Sequence, residues 1–260
     1  MMSDDAPQNI ISFVAHNAAR VEVHRHHCFQ IVASIKGSFA CTIDGKSYQR
    51  KIGFIINQSV VHSCQAQGAS VIVYFIDAES YYGWQLREML AGKPFLDIED
   101  FFAEGEMARI CANGNERLPK FELKKIADEI FETVLPQPNK PDRHFLDGRI
   151  GKALKFIETN LRESIRLEDV ADQMFLSPER ARHLFVQATG SPFSQFLLWK
   201  RIKAVIVASL TQGLSLTEAA LKCGFSDQAH FCRVFKRTFG MSPKTHLKNS
   251  RFVQFLNPLV

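Results

Sequence analysis

The sequence predicts an α+β chain of two domains. A small β-barrel with flanking helices is expected over residues 1–135, and an all-α domain of two helix-turn-helix units joined by a long helix over residues 143–260. Three observations predict this. Residues 10–80 read as short apolar runs closely punctuated by turn signals, the pattern of a barrel or sandwich. Pro136-Gln-Pro-Asn-Lys-Pro141 puts three prolines into six residues, which no helix accommodates, and marks a linker over 136–142. Beyond it one helical pattern occurs twice, about fifty positions apart: Ala171, Ser177, Phe185 and Gly190, then Ala220, Asp227, Phe235 and Gly240.

Within the first domain, Phe39, Cys41 and Ile43 alternate up to Asp44-Gly45, and Tyr48 resumes the pattern, which predicts a hairpin with a two-residue turn. Phe54–Ile56 and Val71–Ile76 read as further strands. From about Tyr82 the period becomes helical. Leu123, Ile126, Ile130 and Val134 form one apolar stripe on a helix from roughly Lys120 to Leu135, suited equally to lying on its own barrel and to a dimer contact.

Past the linker, Ile150, Leu154, Ile157 and Leu161 define a first helix. Leu167–Met174 and Pro178–Thr189 make the first helix-turn-helix, about Ser194 to Leu210 the long helix, and Thr217–Cys223 with Gln228–Thr238 the second helix-turn-helix. Each second helix begins at a good N-cap, Ser177 or Asp227.

Charge divides where the linker does. Residues 1–142 hold 14 Lys/Arg against 18 Asp/Glu, whereas residues 143–260 hold 18 against 9. A net charge of −4 beside one of +9 implies a polyanionic partner for the C-terminal part alone. The hydrophobic fraction of 46% and charged fraction of 23% are those of an ordinary soluble protein. The longest strongly apolar run, Val71–Ile76, is six residues, far short of a membrane span. The start, MMSDDAPQNII, lacks a secretory signal, and the six cysteines show no CxxC spacing. A cytoplasmic protein with reduced thiols and no membrane partner is expected.

The paired helical units point to double-stranded DNA, since two such units can lie in major-groove segments roughly 34 Å apart. In the first unit Ala181, Leu184 and Phe185 face inward, leaving Glu179, Arg182 and His183 outward. In the second, Phe231, Val234 and Phe235 face inward, leaving Gln228, Ala229, Cys232 and Arg233. Arg forks onto guanine O6 and N7, Gln pairs with adenine N6 and N7, and Glu accepts from the cytosine amino group. Ala229 and Cys232 are small enough to approach a thymine methyl. Lys236 and Arg237, with Arg180 and Lys203, suit phosphate.

The segment from about Arg143 to Lys248 resembles the DNA-binding domain of the AraC/XylS family of bacterial transcription regulators. The residues that carry the resemblance are Leu167-Glu-Asp-Val-Ala171, Ser177-Pro178, Phe185, Gly190, Ala204, Ala220, Gly224-Phe225-Ser226-Asp227-Gln228, Phe231, Phe235, Phe239-Gly240 and Ser242-Pro243. It covers about 40% of the chain. The resemblance implies that each second helix enters the major groove, with Glu179, Arg182, His183, Gln228, Ala229, Cys232 and Arg233 at the base-reading positions. There are two departures: Phe175 stands where the first turn often carries glycine, and Ala181 replaces a larger aliphatic core residue.

Near the N-terminus, alternation puts His24 and His26 on one strand face and His27 on the other. The spacing of His24, His26, Gln30, Gly37, Gly53 and His62 resembles the metal-binding signature of the cupin barrel, with Gln30 in the place of a glutamate. Three imidazoles and a carboxamide suit zinc, nickel or copper better than iron. The same residues also suit the wall of an effector pocket without metal, or ordinary packing. AraC-type regulators commonly carry a cupin-like sensor before the DNA-binding domain, often with no metal, so no cofactor is required. Cys28, Cys41 and Cys64 admit thiol sensing as well as plain core packing.

The leading expectation is a sequence-specific transcription regulator that is not an enzyme. It would bind an unknown small-molecule effector in the barrel, form a homodimer and, as an activator, engage RNA polymerase. The alternative is a metal-dependent cupin enzyme with an accessory helical domain, against which stands the missing carboxylate. A third is a DNA binder whose barrel serves only to dimerise.

Overall fold

The computed structural model describes residues 9–16, 20–111, 118–135, 146–243 and 253–255; the proline-rich linker at 136–142 lies outside them. The chain gathers into two compact units, Met1–Pro141 together with Arg237–Val260, and Asp142–Lys236.

The first unit holds β1 (Ile10–His16), β2 (Arg20–His24), β3 (Phe29–Lys36), β4 (Phe39–Ile43), β5 (Lys46–Lys51), β6 (Gly53–Ile56), β7 (His62–Gln65), β8 (Ser70–Ile76), β9 (Phe95–Asp97) and β10 (Val253–Phe255). They form a six-stranded sheet, β10-β1-β8-β3-β6-β9, and a four-stranded sheet, β2-β7-β4-β5. Among the described residues neither sheet closes on itself, so the expected barrel is corrected to two open sheets. The reason is legible in β5, KSYQRK, whose charged side chains leave it largely exposed at its sheet's edge. Such a strand discourages further pairing. The β4–β5 hairpin turns at Asp44-Gly45, both with positive φ (50° and 77°), the two-residue geometry that the residue types predict.

Three helices complete this unit: α1 (Tyr81–Leu90), α2 (Glu106–Cys111) and α3 (Lys120–Val134). The stripe Leu123, Ile126, Ile130 and Val134 is buried in one core with Val14, Phe29, Ile31 and Ile72. Tyr74 on β8 donates its hydroxyl to the Ala127 carbonyl on α3 at 2.6 Å. Of the two readings of that stripe, lying on its own sheet is the one realised.

The second unit is helical: α4 (Gly148–Thr159), α5 (Leu167–Met174), α6 (Pro178–Thr189), α7 (Phe193–Thr211), α8 (Leu216–Lys222) and α9 (Gln228–Phe239), the last turn of α9 being counted with the first unit. Ile150, Ile157, Val170, Ala171, Met174, Ala181, Phe185 and Phe196 form its first core. No helix among the described residues is long and apolar enough to cross a membrane.

Candidate functional site

The two helix pairs end their first helices in the same way. After α5, Leu176 N–H donates to the Ala171 carbonyl (3.1 Å) and Phe175 N–H to that of Asp172 (3.1 Å). After α8, Phe225 N–H donates to Ala220 (3.0 Å) and Gly224 N–H to Leu221 (3.3 Å). These are the paired 6→1 and 5→2 bonds of a Schellman turn, which needs a left-handed residue between them. That residue is Phe175 (φ 54°) in one copy and Gly224 (φ 84°) in the other. Phe175 therefore keeps the geometry that glycine would supply, and its side chain escapes crowding because it is 83% exposed, beneath Lys152 at 5.1 Å.

Each second helix then starts on a side-chain cap. Ser177 Oγ accepts from Arg180 N–H, with Pro178 in the first turn, where its missing N–H costs nothing. Asp227 Oδ1 accepts from His230 N–H at 2.6 Å, and that bond, before the one from Ser226, holds its carboxyl below the usual range.

On α6, Glu179, Arg182 and His183 are exposed, Ala181 and Phe185 are buried and Leu184 is half-buried. Arg182 donates to Glu179 Oε1 at 2.6 Å, and His183 Nε2 lies 2.7 Å from the same oxygen. The Arg182 bond, then that of His183, holds the Glu179 carboxyl low. The i, i+3, i+4 spacing of these residues is the sequence signal for this cluster. On α9, Gln228, Ala229, Arg233, Lys236 and Arg237 are exposed, Cys232 is half-buried, and Phe231, Val234 and Phe235 are buried. Gln228 Oε1 accepts from Thr217 Oγ1 at 2.7 Å, which ties the start of α9 to α8. One expected phosphate partner is corrected: Lys203 on α7 is only 7% exposed.

In the first unit a cavity of about 70 Å³ lies between the two sheets. Val32, Phe54, Val73 and Phe75 line it from the larger sheet and Phe39, Cys41 and Ile43 from the smaller, with His24, Gln30 and His62 as its polar side. Phe239 and Met241, which residue patterning does not flag, also line it, and the Phe239 ring lies 5.1 Å from that of Phe75. Burial pushes the thiols of Cys41 and Cys64 up to about 12, so little thiolate is present at neutral pH.

The structure brings His24, His26, His62 and Gln30 together, though not by strand alternation. β2 ends at His24, which pairs with His62 on β7, and His26 reaches the cluster from the connection that follows. The ring centroids of His24 and His62 are 4.2 Å apart, and His26 lies 5.0 Å from His62. Burial holds the His26 and His62 imidazoles below the usual histidine range. Since those folded values lie under the unfolded one of about 6.5, protons bind the unfolded chain better. Stability of this unit therefore falls as pH drops below about 6.5.

A helix-turn-helix domain model matches residues 170–249. The chain is similar to the regulatory protein PocR of Salmonella typhimurium strain LT2, 31% identical over 100 residues, 38% of this chain and 33% of that one. It thus spans about a third of the length of that relative. To the transposon Tn10 TetD protein of Escherichia coli it is 33% identical over 109 residues, 42% of this chain and 78% of that one. A crystal structure of a ToxT variant from Vibrio cholerae strain SCE256 shares the fold along 92% of this chain and 97% of its own, with a TM-score of 0.59 at 15% identity.

Proposed function

Because the chain belongs to the AraC/XylS family of helix-turn-helix regulators, we propose that it is a sequence-specific DNA-binding transcription regulator, controlled by a small molecule held between the two sheets. The observation that carries this reading is the repeated helix pair, closed twice by one Schellman turn and presenting an exposed polar face from each second helix. Arg182 and Arg233 are the guanine-reading groups, Gln228 pairs with adenine, and Ala229 and Cys232 leave room for a thymine methyl. Arg182 must leave Glu179 to reach a base, so Glu179 competes with guanine for it unless a cytosine amino group occupies the carboxylate. Arg180, Lys236 and Arg237 bind phosphate and hold the register.

The cavity limits the effector. Mostly apolar walls with one polar side fit a small apolar body with a single polar group. Phe239 both lines this cavity and ends α9. An occupant that moves Phe239 acts on the helix that carries Gln228 and Arg233, and shifts DNA affinity by the difference in its own affinity for the two arrangements. The protein works in the cytoplasm as a homodimer and meets RNA polymerase where it activates.

Fluorescence anisotropy of the full chain with a labelled mixed-sequence duplex tests the reading. With Arg180, Lys236 and Arg237 each neutralising one phosphate, each bound chain contributes about −2.7 to the slope of log K against log salt, about 40-fold in affinity between about 50 and 200 mM, and a bound homodimer has about twice that slope. Absent or salt-insensitive binding overturns it.

A further inference from the structure

We propose that Cys41 and Cys64 form a two-thiol site that takes trivalent arsenic, bridged between their sulfurs across the β4–β7 strand pair. Such a site is independent of the DNA and effector readings and follows from how the two strands are registered.

Cys41 on β4 stands directly opposite Cys64 on β7, in an unbroken antiparallel register from Ala40–Gln65 to Ile43–His62. One step further along, Asp44 N–H donates to the Val61 carbonyl at 2.9 Å, which makes Asp44–Val61 a hydrogen-bonded pair. Hydrogen-bonded and non-hydrogen-bonded pairs alternate along such a ladder, so Thr42–Ser63 is of the first kind and Cys41–Cys64 of the second. Pairs of the second kind have the shorter Cα separation, about 4.5 Å, and put both side chains on one sheet face. Here that face is the cavity wall, which both cysteines line. Neither thiol has a hydrogen-bond partner among the described residues. Cys41 is buried and Cys64 half-buried, which leaves an approach past Cys64.

Three chemistries compete to join the two sulfurs. A direct S–S bond spans Cβ atoms about 3.5–4.5 Å apart, whereas facing Cβ atoms in a sheet are about 4.5–5.5 Å apart, so one atom between the sulfurs fits better. A disulfide also needs an oxidant and an attacking thiolate, and burial pushes both thiols up to about 12. A divalent cation binds thiolates alone, so it would have to displace two protons held that tightly. Trivalent arsenic meets neither obstacle. Arsenous acid condenses with both thiols: two As–O and two S–H bonds break, two As–S bonds form, and the hydroxyls leave with the thiol protons as two waters. Arsenic stays trivalent, nothing is oxidised, and the adduct is neutral. A neutral product suits a wall that Val32, Phe39, Ile43 and Phe54 make otherwise apolar.

The test incubates the reduced full chain with arsenite, removes unbound reagent by gel filtration and measures arsenic per chain, with thermal melting as the control for folding. One arsenic per chain is expected, retained against excess mercaptoethanol and released by dithiothreitol. Two thiols held side by side bind about 10²–10⁴-fold more tightly than one, which a monothiol cannot match and a dithiol can. Cys64→Ser and Cys41→Ala should therefore each weaken binding by about 100-fold or more. Cys111→Ser, at a thiol outside the cavity wall, should bind as the wild type does. The competition between mercaptoethanol and dithiothreitol needs no variant, so it decides the matter even if a substitution at Cys41 impairs folding. If the wild type retains no arsenic, if mercaptoethanol strips it, or if folded Cys64→Ser retains it equally, the site is refuted.

Discussion

Gly224→Val is expected to destabilise the second helical unit by about 2–5 kcal/mol, because two costs combine. A left-handed backbone carries about 1–2 kcal/mol for any residue with a side chain, and a β-branched one tolerates it worst. In addition, a Cβ at 224 would lie 2.6 Å from the Leu161 carbonyl oxygen and 2.8 Å from Arg201 Nε. Arg201 donates to that carbonyl at 2.9 Å and to the Glu163 carbonyl at 2.7 Å, so the new side chain breaks a clamp, for about 1–3 kcal/mol more. The equivalent residue of the first turn supplies the control. Phe175 already adopts φ 54° with its ring in solvent. Phe175→Gly should therefore change stability by no more than about 1 kcal/mol, relief of strain being offset by the extra freedom of the unfolded chain. Denaturant unfolding of the two variants decides the matter: equal midpoints would mean that close approach at Gly224 is not what demands glycine.

Arg233→Ala is expected to weaken binding to the preferred duplex by about 1–3 kcal/mol and to relax the base preference at one position, while the melting temperature stays that of the wild type. The side chain is exposed on α9, whereas Val234 and Phe235 are buried, so its removal leaves the core intact. Lys236→Ala provides the contrast. Without its ammonium group one phosphate goes unneutralised, which should lower affinity for every sequence alike and reduce the salt slope by about 1. Competition binding against point-substituted duplexes separates the two. An Arg233→Ala protein with unchanged base preference would remove α9 as assigned from the groove.

The helical unit is more legible in the sequence than the sheets because its signals are local. Ser177-Pro178 and Gly190 delimit α6 as expected, at Pro178–Thr189, since a cap and a left-handed stop act within one turn of where they stand. The apolar stripe of α3 is equally plain, but which surface it covers depends on residues far along the chain, such as Tyr74. The closed barrel fails for the same reason. Whether a sheet closes is decided at its edges, and β1 takes its outer partner from Val253–Phe255, more than two hundred positions away. Among the cavity residues, His24 and His62 meet through the β2–β7 register, which period-two alternation around His24 does not contain. Phe239 reads in the sequence as the end of a helical motif, and nothing in its neighbourhood marks it as part of a cavity wall.

If two helices of one chain read a single duplex side by side, the full-length protein should leave a paired signature on the fragments it selects from a random-sequence duplex library. Sequencing the bound fragments should show enrichment of two short motifs whose centres lie about one helical turn apart, roughly 10–10.5 base pairs. Substitutions on α6 should abolish one motif and substitutions on α9 the other. Enrichment of a single motif, or of none, would rule out reading by the paired helices.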